Sequence, residues 1–217
     1  SGDHREFAGV PMKICFIGSG IEREDTHVDG IEVQSIARVV RNHFDTLVFG
    51  GSSVGLMEAF ASGFASLGGK VISIVPRWLE REGLVYQGAE PIYCNDLAER
   101  KHLMFEETDA VLCYPGGVGT WDELFDLLAR RAVEAELVCP PVYLYNWEKY
   151  YAPLMLQMET AVEAGLLQPQ ILARVHSFET ADALEESLAK EYPKGGAKIR
   201  DSEGGLPERS RRPAVAD

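Results

Sequence analysis

Short apolar runs that alternate with amphipathic segments constrain the fold of this chain more than any other feature. The runs are continuous, as in residues 110–113, whereas a strand with one wet face alternates apolar and polar residues. We therefore predict an α/β fold, a doubly wound parallel sheet with helices on both faces. The predicted strands are residues 13–17, 46–49, 70–75, 91–94, 110–113, 141–145 and 175–178. The predicted helices are residues 33–44, 56–67, 96–107, a segment that begins near 120, 149–164 and 181–192, with 77–90 an irregular connection.

Three glycine-bearing turns, at residues 18–20, 50–55 and 116–119, each follow a predicted strand. Ligands of parallel sheets bind at the carboxyl ends of strands, near a topological switch point. Glycine lets backbone N–H groups approach an anion, and a helix N-terminus adds about half a positive charge. A phosphate-bearing ligand is therefore expected. None of the turns has the G-x-G-x-x-G pattern, and Leu56-Met57 stands where a P-loop needs Lys and Ser or Thr.

Length and composition favour a single domain. The 217 residues, 46% of them hydrophobic, suit one domain over residues 12–194, with leader residues at 1–11 and a disordered tail at 195–217. A net charge of −13 argues against nucleic-acid binding, and no apolar run approaches the ~20 residues of a membrane span. The cysteines are scattered without a C-x-x-C pair, which suits a reducing cytoplasm. Neither a metal nor a cofactor is expected.

Two adjacent cations and one carboxylate are candidates for chemistry. Arg100 and Lys101 flank the apolar stripe of the helix that Asp96 is expected to cap, so each needs an anion, either a carboxylate or a bound phosphate. For Lys101 alone a solvent-facing position is favoured, whereas for the adjacent pair a phosphate or carboxylate role is favoured. Thr120-x-x-Glu123 matches a capping box, which favours a structural role for Glu123. An anion in the first helical turn would also suit a nucleophile or base.

Three motifs together resemble the Lonely Guy (LOG) family, long labelled lysine decarboxylase-like. They are Gly50-Gly51-Ser52-Ser53-Val54-Gly55-Leu56-Met57, Arg100-Lys101-x-x-Met104 and Pro115-Gly116-Gly117-x-Gly119-Thr120-x-x-Glu123. The resemblance covers roughly residues 12–165. It implies a Rossmann-like fold and a homodimer with its active site near the subunit interface. The implied activity is phosphoribohydrolase: a nucleoside 5'-monophosphate is cut to free base and ribose 5-phosphate.

The same resemblance implies roles for individual residues. Arg100 and Glu123 match the catalytic pair. The matching substrate-binding positions are Gly18, Ser19, Gly51, Ser52, Glu82, Lys101, Gly116, Gly117, Val118, Gly119 and Thr120.

The substrate base and the function class each keep an alternative. Members that act on cytokinin nucleotides carry Thr and then Trp-Ala-Gln where this chain has Ala129-Arg130-Arg131-Ala132. A pyrimidine nucleotide such as CMP is therefore an alternative to a cytokinin riboside monophosphate or AMP. Molybdenum-cofactor carriers share the fold and a similar loop, so a non-catalytic carrier is the alternative from another class. Lysine decarboxylase is disfavoured, because no lysine stands in a recognisable pyridoxal-phosphate context.

Overall fold

The computed structural model describes residues 11–20, 31–133 and 140–192. Its described strands form one seven-stranded sheet in which every pair of neighbours is parallel. The strands are β1 (Lys13–Ile17), β2 (Thr46–Phe49), β3 (Lys70–Pro76), β4 (Pro91–Cys94), β5 (Ala110–Cys113), β6 (Val142–Tyr145) and β7 (Val175–Phe178). Their spatial order is β4-β3-β2-β1-β5-β6-β7. The predicted fold class is confirmed, and each predicted strand is present to within a residue.

Eight described α-helices connect or follow these strands. They are α1 (Gln34–His43), α2 (Gly55–Ser66), α3 (Arg77–Arg81), α4 (Leu97–Phe105), α5 (Val118–Val133), α6 (Ala152–Glu163), α7 (Pro169–Leu172) and α8 (Ala181–Glu191). The prediction of an irregular connection at 77–90 was wrong for α3, and α7 was not predicted. The predicted start of a helix at 149 was also wrong, because Glu148 and Lys149 adopt left-handed backbone conformations (φ 46° and 64°) that end a short 3-10 turn.

Helices pack on both faces of the sheet because successive strand residues point to opposite sides. In β1, Ile14 and Phe16 join one apolar cluster with α1, α2 and α8. Cys15 and Ile17 join a second cluster with α4, α5, α6 and α7. These four apolar side chains of β1 are buried, which explains the continuous apolar pattern that follows Lys13.

The switch point of the sheet lies between β1 and β5. The chain leaves β1 toward β2 on one side and later returns to pair β5 on the other side. The first and third glycine turns therefore lie together. Ser19 N–H donates to Pro115 O at 3.3 Å, and Tyr114 N–H donates to Ile17 O at 2.9 Å. Ligands of doubly wound sheets bind in this position.

The terminal predictions fall largely outside the described residues. Of the predicted leader only Pro11 is described, and it is exposed. The predicted tail at 195–217 lies wholly outside them. Of the four cysteines, Cys15, Cys94 and Cys113 are described, and all three are buried free thiols.

Candidate active site

An arginine–glutamate ion pair lies at the centre of the candidate site. Arg100, on α4, donates from Nη1 to Glu123 Oε1 at 2.7 Å and from Nη2 to Gly50 O at 3.1 Å. The Arg100 side chain is 13% exposed and the Glu123 side chain 9%. Asp96 caps α4 as predicted, since its Oδ1 accepts from Glu99 N–H at 2.8 Å. The guanidinium thus joins three elements that meet at the carboxyl end of the sheet.

The predicted capping box at Glu123 was wrong. Helix α5 begins at Val118, so Thr120 is its third residue and Glu123 lies in its second turn. Trp121 N–H donates to Gly117 O at 3.0 Å, which makes Gly117 the N-cap. The loop therefore enters the helix three residues earlier than the capping pattern predicts, and the Glu123 carboxylate is left to pair with Arg100.

Burial sets the protonation behaviour of the pair and of the thiols near it. Burial raises the pKa of the Glu123 carboxyl above its ordinary value, and the adjacent Arg100 guanidinium opposes this only in part. Burial likewise raises the pKa of the Cys113 thiol to about 12 and that of Cys15 well above its usual range. Both thiols therefore stay protonated at neutral pH and are poor nucleophiles. Glu123 is the better candidate for nucleophile or base.

The second glycine turn fits closely around the arginine. A Cβ on Gly50 would lie 1.8 Å from Arg100 Nη2, so a side chain there would displace the guanidinium. Gly51 has φ +75°, which favours glycine, and its carbonyl accepts from Tyr86 N–H at 2.9 Å. Ser52 is buried and forms an antiparallel bridge with Val85.

The third glycine turn leads into α5 beside the ion pair. A Cβ on Gly116 would lie 2.1 Å from Thr120 Oγ1, so the buried Thr120 side chain packs against this glycine. At Gly117 and Gly119 an added Cβ would meet no described atom within 4 Å. Packing among the described residues therefore explains the glycine at 116 but not at 117 or 119, where the backbone is open to close approach. The first N–H groups of α5, from Val118 onward, have no acceptor within the helix.

Lys101 is held by carboxylates. Its Nζ lies 3.0 Å from both oxygens of Asp122 and 3.3 Å from Asp126 Oδ1. Burial lowers the pKa of Lys101, but these two partners outweigh burial and raise it overall. The side chain is 13% exposed, so the solvent-facing position favoured for Lys101 alone was wrong, whereas the carboxylate partner favoured for the adjacent Arg100–Lys101 pair is present. Its predicted substrate-binding role stays a prediction.

The predicted site residues fall into two groups by position. Most of them lie around the switch point and the two glycine turns beside Arg100: Gly18, Ser19, Gly51, Ser52, Gly116, Gly117, Val118, Gly119, Thr120 and Glu123. Glu82 differs, because it ends α3 as an exposed side chain. The backbone that follows Glu82 contacts the second glycine turn, where Leu84 O accepts from Ser53 N–H at 2.8 Å.

Two tyrosines that the sequence analysis did not single out contact the third turn. The Tyr150 hydroxyl donates to Gly116 O, and the Tyr151 hydroxyl donates to Tyr114 O at 2.7 Å. The available sequence signal was their position directly after the predicted strand at 141–145, which the structure places beside β5 as β6. Among the described residues, no group of His, Cys, Asp and Glu side chains could hold a metal ion, and no helix has the length and apolarity to cross a bilayer.

Fold and site together define a Rossmann-like doubly wound α/β protein with an arginine–glutamate pair at its switch point. The chain belongs to the Lonely Guy family, and the family described as possible lysine decarboxylase matches its residues 57–188. A cytokinin riboside 5'-monophosphate phosphoribohydrolase of Arabidopsis thaliana is 31% identical over 182 residues, which cover 82% of this chain and 76% of the relative. The protein of that name from Rhodococcoides fascians is 32% identical over 144 residues, covering 65% and 72%.

Solved structures with this fold include proteins named for another function. The molybdenum cofactor binding protein from Rippkaea orientalis superposes with a TM-score of 0.59 at 19% identity, covering 83% of this chain and 97% of that one. The molybdenum cofactor carrier protein from Chlamydomonas reinhardtii gives 0.58 at 20%, covering 83% and 98%. At these identities the likeness establishes the fold alone.

Proposed function

We propose that this protein is a nucleoside 5'-monophosphate phosphoribohydrolase, which hydrolyses the N-glycosidic bond to give free base and ribose 5-phosphate. The observation that carries the proposal is the buried Arg100–Glu123 pair beside a glycine turn at the switch point. The names of the relatives from Arabidopsis thaliana and Rhodococcoides fascians support the same reaction. A non-catalytic carrier would also need the phosphate-binding turn, but binding alone does not require the buried Glu123 carboxylate beside it.

The proposed reaction gives Glu123 the central role. As the glycosidic bond breaks, its electron pair goes to the base nitrogen and positive charge develops at the anomeric carbon. An anionic Glu123 stabilises that charge and either attacks the carbon or takes a proton from water, as carboxylates do in glycoside hydrolysis. Water supplies the hydroxyl of ribose 5-phosphate, and its proton ends on the base. Arg100 keeps the carboxylate oriented through the 2.7 Å hydrogen bond.

The glycine turn and the N-terminus of α5 are proposed to hold the 5'-phosphate. Backbone N–H groups of residues 117–120 precede or open the helix, where the dipole favours an anion. The phosphate is remote from the broken bond, so its binding energy goes into placing the anomeric carbon against Glu123. Lys101 is proposed to contribute to substrate binding through its partners Asp122 and Asp126 rather than as a free cation, because both carboxylates already contact it.

The base preference is the finer part of the proposal. By similarity we favour a cytokinin riboside monophosphate or AMP, with CMP as the alternative. The alternative keeps a specific observation in its favour, because the departure from the cytokinin-type pattern falls on α5. There Arg130 Nε pairs with Asp126 Oδ2 at 2.7 Å, and Asp126 also contacts Lys101. A cation thus stands one turn from Asp126, which is one of the two carboxylates that contact Lys101.

We also propose that the protein works as a cytoplasmic homodimer. Val118, Trp121 and Phe125 are exposed, and their spacing places them along one face of α5. Glu123 lies on the opposite side of α5 from this stripe, and the Val118 end of the stripe adjoins the glycine turn. Exposed apolar patches of this kind mark interaction sites, and a second copy of the chain would bury the stripe beside the glycine turn.

One experiment tests both the function class and the base. The purified protein is incubated with AMP, CMP, GMP, UMP and isopentenyladenosine monophosphate, and the released base is measured by chromatography. We expect base release from at least one of them and none from the corresponding nucleosides at equal concentration. No base from any nucleotide would overturn the proposal, and a fluorescent pterin that copurifies with the protein would favour the carrier instead.

A further inference from the structure

Three successive carbonyls of the turn before α5 each accept a hydrogen bond from a different part of the fold. Tyr114 O accepts from the Tyr151 hydroxyl at 2.7 Å, and Pro115 O accepts from Ser19 N–H at 3.3 Å. Gly116 O accepts from the Tyr150 hydroxyl. The orientation of this backbone is thus fixed by contacts on its carbonyl side, ahead of any ligand.

Fixing a carbonyl also fixes the N–H group that follows it. The peptide unit is planar and trans, so the carbonyl of one residue and the N–H of the next point in opposite directions. The Tyr150 hydroxyl holds the Gly116 carbonyl, so the Gly117 N–H must point away from Tyr150. A Cβ on Gly117 would meet no described atom within 4 Å, so this backbone is open to close approach.

We propose that Tyr150 is a positioning residue for the phosphate-binding turn: its hydroxyl sets the plane of the Gly116–Gly117 peptide and so aims the Gly117 N–H at the 5'-phosphate. The inference rests on the proposed function, because that function supplies the phosphate. Tyr150 acts through the backbone and needs no contact with substrate. The neighbouring Tyr151 has a different part, since it is fully buried and its hydroxyl also lies 3.1 Å from Cys113 Sγ.

The turn that precedes Tyr150 contains strained backbone. Glu148 and Lys149 are consecutive non-glycine residues in the left-handed region, which persists only where surrounding contacts over-determine it. Buried Asn146 supplies such contacts, because its Oδ1 accepts from Tyr151 N–H at 2.8 Å and its N–H donates to Phe178 O at 2.7 Å. Strained backbone of this kind clusters at functional sites. The two tyrosines that follow this turn donate their hydroxyls to the backbone of residues 114 and 116.

The exposure of Tyr150 makes it separable from the stability of the fold. Its ring is 37% exposed and packs edge-on against the Tyr151 ring, with centroids 4.9 Å apart. Tyr150→Phe keeps that ring contact and removes only the hydroxyl. Water can then reach the freed carbonyl, so the melting temperature is expected to stay unchanged while the peptide plane loses its restraint.

The test compares Tyr150→Phe with wild type and with Tyr192→Phe. The Tyr192 hydroxyl donates to Asp109 O at 2.7 Å, at the opposite end of β5, so the control loses an equivalent bond far from the site. Calorimetry gives Kd for ribose 5-phosphate, and steady-state kinetics give KM and kcat for the hydrolysed nucleotide. For Tyr150→Phe we expect Kd and KM to rise about 3- to 10-fold, the effect of one neutral hydrogen bond, with kcat changed less. Tyr192→Phe should match wild type in all three constants.

The outcomes separate this inference from the proposed function. An active wild type whose Kd and KM are unchanged by Tyr150→Phe would overturn the positioning role and leave the function standing. If the wild type hydrolyses no nucleotide, the proposed function is overturned. If the Tyr150→Phe variant then binds ribose 5-phosphate more weakly than wild type, the positioning role is still supported. If Tyr192→Phe weakens binding as much as Tyr150→Phe does, the effect is one of general stability and the inference is overturned. A wild type that neither hydrolyses a nucleotide nor binds ribose 5-phosphate would overturn both the inference and the proposed function.

Discussion

Glu123→Gln separates the charge of this side chain from its shape. The amide oxygen of glutamine can still accept from Arg100 Nη1, which lies 2.7 Å from Glu123 Oε1 in the native pair. The substitution therefore keeps the hydrogen bond and removes only the negative charge. If the charge stabilises positive character at the anomeric carbon or takes the proton of water, its loss should cost activity far more than stability.

The expected stability change is small, and the pKa of Glu123 gives its sign. Burial raises that pKa, so the folded chain holds the Glu123 proton more tightly than the unfolded chain does. Stability from this group is therefore full below its unfolded pKa and declines as pH rises toward the folded value, so ionised Glu123 is a net cost at neutral pH. Glutamine avoids this cost but leaves the buried Arg100 guanidinium with a neutral acceptor, so the two effects oppose each other. We expect the free energy of unfolding to change by about 1 kcal/mol at most, or about 2–4 °C in Tm.

The expected loss of turnover is large. Positioned general bases contribute about 10²- to 10⁴-fold, or about 3–5 kcal/mol of the activation free energy. The assay is chromatography of the released base at saturating nucleotide, with Tm measured by calorimetry on the same preparation. Glu191→Gln is the matched control, since Glu191 pairs with Arg174 Nη1 at 2.8 Å on a partly exposed surface beside β7. A Glu123→Gln protein that keeps turnover within tenfold of wild type would refute the catalytic role.

Three further predictions test the pH dependence, the glycines and the dimer. Burial raises the pKa of Glu123 and the anion is the active form, so kcat/KM should rise with pH through a midpoint above the ~4.3 of an ordinary glutamate; a profile flat down to pH 4 would contradict this. Gly50→Ala should abolish activity in the base-release assay, because the added Cβ would displace Arg100. Gly119→Ala should fold normally and bind ribose 5-phosphate more weakly in calorimetry. Phe125→Glu should convert a dimer to a monomer in sedimentation, and Leu166→Glu, at a more exposed apolar residue between α6 and α7, should not.

The sheet was predictable because its strands are buried on both faces, and strands of this kind have continuous apolar sequences. Phe16 and Ile17 face opposite sides of β1 and both are fully buried. The meeting of the turns at residues 18–20 and 116–119 followed from the rule for carboxyl ends. The need of Arg100 for an anion followed from its place beside an apolar stripe, and Glu123 is the anion that meets it.

The rest depended on long-range contacts that local patterns do not report. Thr120 and Glu123 satisfy a capping pattern, yet Gly117 takes the N-cap. Lys101 could have faced solvent by its spacing, but two aspartates of α5 hold it. The role of Tyr150 was hidden because the left-handed turn before it breaks the helical spacing, and the contacts that offset this strain come from other elements.

The central position of β1 has a consequence for how the chain acquires its site during synthesis. Lys13 N–H donates to Asp109 Oδ2 at 2.8 Å across 96 residues of sequence, so one edge of β1 stays open until β5 has been made. Until then the nascent chain contains Arg100 without its partner and none of the turn that precedes α5. An unpaired central strand is also the edge most exposed to wrong pairing. Docking of β5 closes that edge and brings the following turn and α5, which carries Glu123, toward Arg100, so formation of the ion pair depends on the pairing of β1 with β5.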